Sequence, residues 1–171
     1  MSMRSSLAAV LVTVAAAACY EAPPPKEAKP GVTAESLQGK LRHRAMLTAL
    51  NSNFSDPQMR VIQYPEDYDE MWQKGFTNVG GLTKPFVNFD AEMVIFVAAG
   101  TKPRGGYMIR VDSVVTGTDL AIYVTQQEPG PGCTSDRGYM NRPMAPAQIV
   151  TVPWMDKPVR FIDRTLPGTG C

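Results

Sequence analysis

The segment Met93-Val94-Ile95-Phe96-Val97-Ala98-Ala99 is an unbroken apolar run, rich in β-branched residues and closed by Gly100. Its length suits a strand, and the absence of any polar phase means that both of its faces are buried. No other stretch of the chain restricts the fold as strongly.

The pattern around it changes to alternation. Tyr107, Ile109 and Val111 alternate with Met108, Arg110 and Asp112, as in a half-buried strand. Thr116-Gly117-Thr118-Asp119 turns the chain, and Leu120, Ile122 and Val124 alternate back with Ala121, Tyr123 and Thr125. Together they predict a hairpin. Pro129-Gly130-Pro131-Gly132-Cys133 ends the second arm and opens a long loop to about Pro146. Residues 148–152 and 159–164 read as two further strands. Upstream, residues 60–63 form a short strand leading into a helix. Pro65 suits the first helical turn, Glu66, Asp67 and Asp69 sit near the positive end of its dipole, and Gly75 is a natural stop. Tyr68, Met71, Trp72 and Phe76 recur at helical spacing. Residues 32–53 fit either period and are read as a poorly ordered start leading into a strand near residues 45–50. Fifteen prolines and fourteen glycines agree with a turn-rich, mainly β (α+β) domain. The expected architecture is one helix packed on an antiparallel sheet, or on a small β-sandwich, with a C-terminal disulfide.

The first residues carry a different message. Arg4, an apolar run over residues 7–14 and Ala15-Ala16-Ala17-Ala18 form a signal peptide of residues 1–18. The apolar run is too short to span a bilayer core of roughly 30 Å. Ala16-Ala17-Ala18-Cys19 resembles the bacterial lipobox, which makes Cys19 the lipidated residue and palmitate its modification. Ala16 stands where leucine is commonest. Ordinary cleavage, leaving a soluble periplasmic or secreted protein, is the alternative. Residues 19–36 then form a Pro-rich spacer, and residues 37–171 one globular domain. By resemblance to lipoprotein sorting, Tyr20 after the cysteine directs the protein to the outer membrane.

The chain has three cysteines, an odd number for an exported protein. Lipid on Cys19 leaves Cys133 and Cys171 as a pair in an oxidising compartment. That bond would stabilise the fold by about 4 kcal/mol in the chain-entropy account.

Catalytic chemistry has little material to work with. His43 is the one histidine, and no nucleophile elbow surrounds it. No clustered His or Cys ligands suggest a metal, and Gly80-Gly81 and Gly105-Gly106 lack the features of a phosphate loop. Asp67 and Asp69 read as helix-end charges, not calcium ligands. Paired carboxylates are conceivable for Asp90 with Glu92, or Asp112 with Asp119. A net charge of +1 gives no indication of nucleic-acid binding. The expectation is a non-enzyme without cofactor or metal.

Several pieces, in order, resemble a family of bacterial exported proteins named after PrcB, a subunit of a surface protease complex. Val61-Ile62 precedes a helix carrying Trp72, and Val87-Asn88-Phe89-Asp90 leads into residues 93–97. Gly100 is followed by Gly105-Gly106-Tyr107 and an alternating strand. Pro129-Gly130-Pro131-Gly132-Cys133 and residues 146–153 close the pattern, which covers roughly residues 47–165. Residues 137–142 depart from it, since the family more often has a threonine- and leucine-containing segment there. The resemblance implies an accessory protein that binds and stabilises a partner, an exported protease being the class implied.

Two loops offer a binding surface: Lys102, Arg104 and Tyr107 on one, and Arg137, Tyr139 and Arg142 on the other. These residue types are common where proteins meet. For Tyr107 a core position is the competing reading, with Gly105 and Gly106 serving a bulge or positive φ. Two further functions stay open. Gly-Gly-Tyr and Pro-Trp loops are similar to those of chagasin-type cysteine-protease inhibitors, and a structural envelope lipoprotein needs no protease at all.

Overall fold

The computed structural model describes residues 39–131 and 141–168. Cys19, Cys133, Cys171, Arg137 and Tyr139 lie outside them, as do the expected signal peptide of residues 1–18 and the expected spacer of residues 19–36; of the start expected to be poorly ordered, residues 32–38 lie outside, whereas strands begin already at Gly39. The described residues form strands β1 (Gly39–Leu41), β2 (Arg44–Ala49) and β3 (Pro57–Ile62), helix α1 (Pro65–Phe76), and strands β4 (Glu92–Ala99), β5 (Met108–Thr116), β6 (Leu120–Gln127), β7 (Ala147–Pro153) and β8 (Val159–Leu166). They make two four-stranded sheets, β1-β5-β6-β8 and β2-β7-β4-β3.

β4 shows why the architecture has three layers. Met93, Ile95, Val97 and Ala99 face one way, into a core shared with Ile109, Val111, Leu120, Ile122 and Val124 of the other sheet. Val94, Phe96 and Ala98 face the other way, against Tyr68, Met71 and Phe76 of α1. The run is apolar throughout because one phase builds the sandwich and the other seats the helix. The fold is therefore mainly β, a sandwich of two sheets with one helix on the outside of the second sheet.

The helix begins at Pro65, with Glu66 and Asp67 in its first turn. Gly75 does not stop it. The helix runs on to Phe76, and the left-handed residue beyond it is Asn78, at φ 65°. Gly75 is needed for close approach: a Cβ there would lie 1.9 Å from Cε2 of Phe54. Phe54 then stacks at 4.9 Å centroid separation on Phe96 of β4.

Three strand features depart from the alternation read in sequence. β5 shifts register between Val111 and Ser113, so the buried set runs Ile109, Val111, then Val114. β8 pairs parallel to β6, which makes that sheet mixed instead of antiparallel. The chain leaves β6, crosses to the opposite sheet as β7, and returns in the original direction. β1 is a short edge strand paired with β5, too brief to leave a periodic signal.

Candidate functional site

The end of the sandwich where β4 finishes and β7 begins gathers several connections. Gly100, at φ 72°, turns the chain out of β4 against the carbonyl of Ser55 and the ring of Pro57. The backbone N–H of Lys102 then donates to the Met144 carbonyl at 2.7 Å, and Met144 N–H donates back at 3.1 Å. This two-bond bridge joins the loop after β4 to the segment entering β7. The loop carrying Lys102, Arg104 and Tyr107 is thus tied by backbone bonds to residues 141–146, the described end of the second loop singled out in sequence. Ser52 adds a hydroxyl bond to the Ala145 carbonyl, which fixes the same segment from the other side.

Side chains follow from that backbone. Lys102 is half-buried; its Nζ sits 5.7 Å from the Tyr107 ring centroid and 3.4 Å from Gln126 Oε1. Tyr107 is half-buried, neither a core residue nor a free surface ring. Gly106 takes φ 89°, which aims the chain into β5. Arg104 and Arg142 are exposed. Four of the six candidate contact residues therefore lie on adjoining segments at one end of the molecule: three cations and an aromatic ring partly covered by one of them. Such a surface favours polar, acidic protein contacts.

The other chemically suggestive residues are dispersed. His43 lines a shallow groove of about 500 Å³ with Arg42, Arg44, Glu92 and Thr151. Arg44 NH2 pairs with Glu92 at 3.1 Å, and Thr151 donates to the same carboxylate. No serine or cysteine lines that groove. Asp112 and Asp119 do not form a pair: Asp112 is bound by Arg110 and Arg164, and Asp119 by Arg160. Asp69 is engaged by Lys84. Among the described residues no group of three or more His, Cys, Asp or Glu could hold a metal, and no helix is long and apolar enough to cross a membrane.

One cluster escaped the sequence reading. Arg110, Thr125 and Arg164 share a cross-strand row over β5, β6 and β8. Asp112 lies within it, accepting from Arg110 Nε at 2.7 Å, from Arg164 NH2 at 3.3 Å and from the Thr125 hydroxyl. Burial pushes the Asp112 carboxyl up, but the Thr125 and Arg110 bonds, the Arg110 charge and the Arg164 bond hold it below the usual carboxylate value. The outward alternation of Arg110 was legible in sequence. Its partner on β8 was not, because parallel pairing across a long connection leaves no local trace.

The geometry defines a β-sandwich domain with one helix on its outer side. Residues 93–154, from β4 to the end of β7, match the family model described as PrcB C-terminal, so that segment of the chain is similar to the PrcB family. No curated protein matches the chain, nor does any solved structure.

Proposed function

We propose that this protein is a lipid-anchored accessory subunit of the cell envelope that docks onto and stabilises an exported partner, a protease being the partner class. The observation that supports the reading is the Lys102–Met144 bridge, which ties the loop carrying Lys102, Arg104 and Tyr107 to the segment carrying Arg142, in a domain whose residues 93–154 match PrcB C-terminal. Backbone already held by such bonds loses little freedom on binding. Lipid on Cys19 and the spacer of residues 19–36 would hold that domain off the outer membrane. The test is affinity isolation from intact cells after cross-linking, comparing the parent chain with Lys102→Glu/Arg104→Glu. Recovery of an active exported protease by the parent and its loss from the variant is expected. Equal recovery by both removes the corner from the interaction, and no exported partner at all ends the accessory reading. Radioactive palmitate incorporation, abolished by Cys19→Ser, tests the anchor separately.

An inhibitor of the chagasin kind finds no support in the geometry. Trp154 is only 6% exposed, packed in the sandwich core. Pro153 pairs with Glu92 at the start of β4, whereas Gly105-Gly106-Tyr107 follows its far end. Eight strand residues at roughly 3.3 Å each separate the two loops, too far for one inhibitory edge.

A further inference from the structure

The β1-β5-β6-β8 sheet spends only one face on the core. α1 covers the outside of the opposite sheet, while among the described residues nothing packs on the outside of this one. Residues that alternate away from the core place Met108, Tyr123 and Leu166 on that outer face, exposed by 43%, 39% and 37%. These are three of the six large apolar side chains that stand out from the described surface, and they share one sheet face. Cations alternate with them along the sheet: Arg110 and Arg164 flank Thr125 in the row between Met108 and Leu166 on one side and Tyr123 on the other, and Lys40 and Arg160 lie in the row beyond Tyr123. The carboxylates there are Asp112 and Asp119, both bound by arginines of the same face. Four cations against two anions leave the face positive.

We propose that this outer sheet face docks a partner protein whose surface presents carboxylates interleaved with apolar side chains; the proposal rests on the accessory-subunit reading and adds a second contact face with its chemistry. The recessed Asp112 orients the cations without using them up. Arg110 gives Asp112 its Nε, and Arg164 gives Nε to Thr125 and one terminal nitrogen to Asp112, so terminal N–H groups on both arginines remain to fork a carboxylate. A second copy of this chain is the wrong occupant, since a two-fold contact would set like charges against each other. A membrane surface is disfavoured as well. The most protruding apolar side chain, Phe86 at 84% exposure, belongs to the loop held by α1, where Tyr68 donates to the Pro85 carbonyl; that is the opposite side of the molecule.

The test uses the full chain in its own host, with photoreactive benzoylphenylalanine in place of Tyr123 or, separately, of Tyr107 at the loop corner. Adducts from position 123 should contain peptides of another protein with Asp or Glu flanking apolar residues. Lys40→Glu/Arg160→Glu should remove them while leaving the position-107 adduct and the melting temperature in place. Should the double variant melt early, Lys40→Glu alone, at an exposed edge position, serves the same purpose. An adduct to lipid or to this chain overturns the proposal, as does one indifferent to charge reversal. Adducts from position 107 alone sink the sheet-face proposal and leave the accessory reading intact; no adduct from either position ends both.

Discussion

At the scale of single residues, polar groups inside or beside the sheets carry the sharpest consequences. Asp112 is held below the ordinary carboxylate value by Thr125, Arg110 and Arg164, against the contrary effect of burial. A depressed folded value means the stabilisation is present above the unfolded carboxylate value, about 3.9, and is lost as pH falls through the folded one. Asp112→Asn should therefore lower the melting temperature at neutral pH, and the gap from the parent should close below that range. A gap that stays constant down to acid pH would show that the carboxylate charge contributes nothing. Gln148 offers a second case. Only 8% exposed, it accepts from Val111 N–H at 2.7 Å and donates to Thr48 Oγ1, linking the two sheets where β5 shifts register. Gln148→Leu strands a buried N–H and should cost about 1–3 kcal/mol in urea unfolding. In sequence, Gln148 is merely a polar residue among apolar ones; its partner is a backbone group that only the opposing sheet can supply.

At the scale of elements, the sequence revealed the type of most segments and concealed how they meet. The β5–β6 hairpin was legible because both arms alternate around Thr116-Gly117-Thr118-Asp119 and pairing is local. α1 was legible from Pro65 and the spacing of Tyr68, Met71, Trp72 and Phe76. Gly75 was misread, since a glycine near a helix end usually marks the stop, whereas here the ring of Phe54 occupies the space a side chain would take. Close approach of that ring sets the sign of a substitution here. At a solvent-exposed position inside a helix, glycine to alanine stabilises by about 1 kcal/mol. With Phe54 in the way, Gly75→Ala should destabilise by about 1–3 kcal/mol from overpacking. Phe54→Leu should soften that penalty, so denaturant midpoints of the two single variants and the double variant should show coupling. Additive effects would mean that the ring and the helix backbone do not press on each other.

At the scale of the molecule, the sandwich was foreseeable from one doubly buried strand, but the sheet to which each strand belongs was not. β6, β7 and β8 are consecutive, yet β7 lies in one sheet and its neighbours lie in the other. The return of β8 alongside β6 brings the chain end back to the exit of β6: Glu128 N–H donates to the Leu166 carbonyl at 3.0 Å. Beyond it, a Cβ on Gly168 would stand 2.1 Å from the Glu128 carbonyl oxygen and 2.7 Å from Gly130 N. Cys133 follows Gly130 by three residues, and Cys171 follows Gly168 by three. Each arm can reach at most about 10 Å, and both start from the same point, so the Cα separation of about 5.5 Å that a disulfide requires is within range. The cysteine count proposed this bond; both cysteines lie outside the described residues, and the approach of Gly168 to Gly130 is compatible with it. Reduction, or Cys171→Ser, should lower unfolding free energy by about 4 kcal/mol if loop closure in the unfolded chain is the main effect. Without reductant, neither Cys133 nor Cys171 should react with an alkylating agent, and mass analysis should show both modified after reduction. Alkylation of both in the unreduced protein would leave the approach of Gly168 to Gly130 as packing alone, with β8 held by its parallel pairing, the Arg160 and Arg164 bonds and the packing of Phe161.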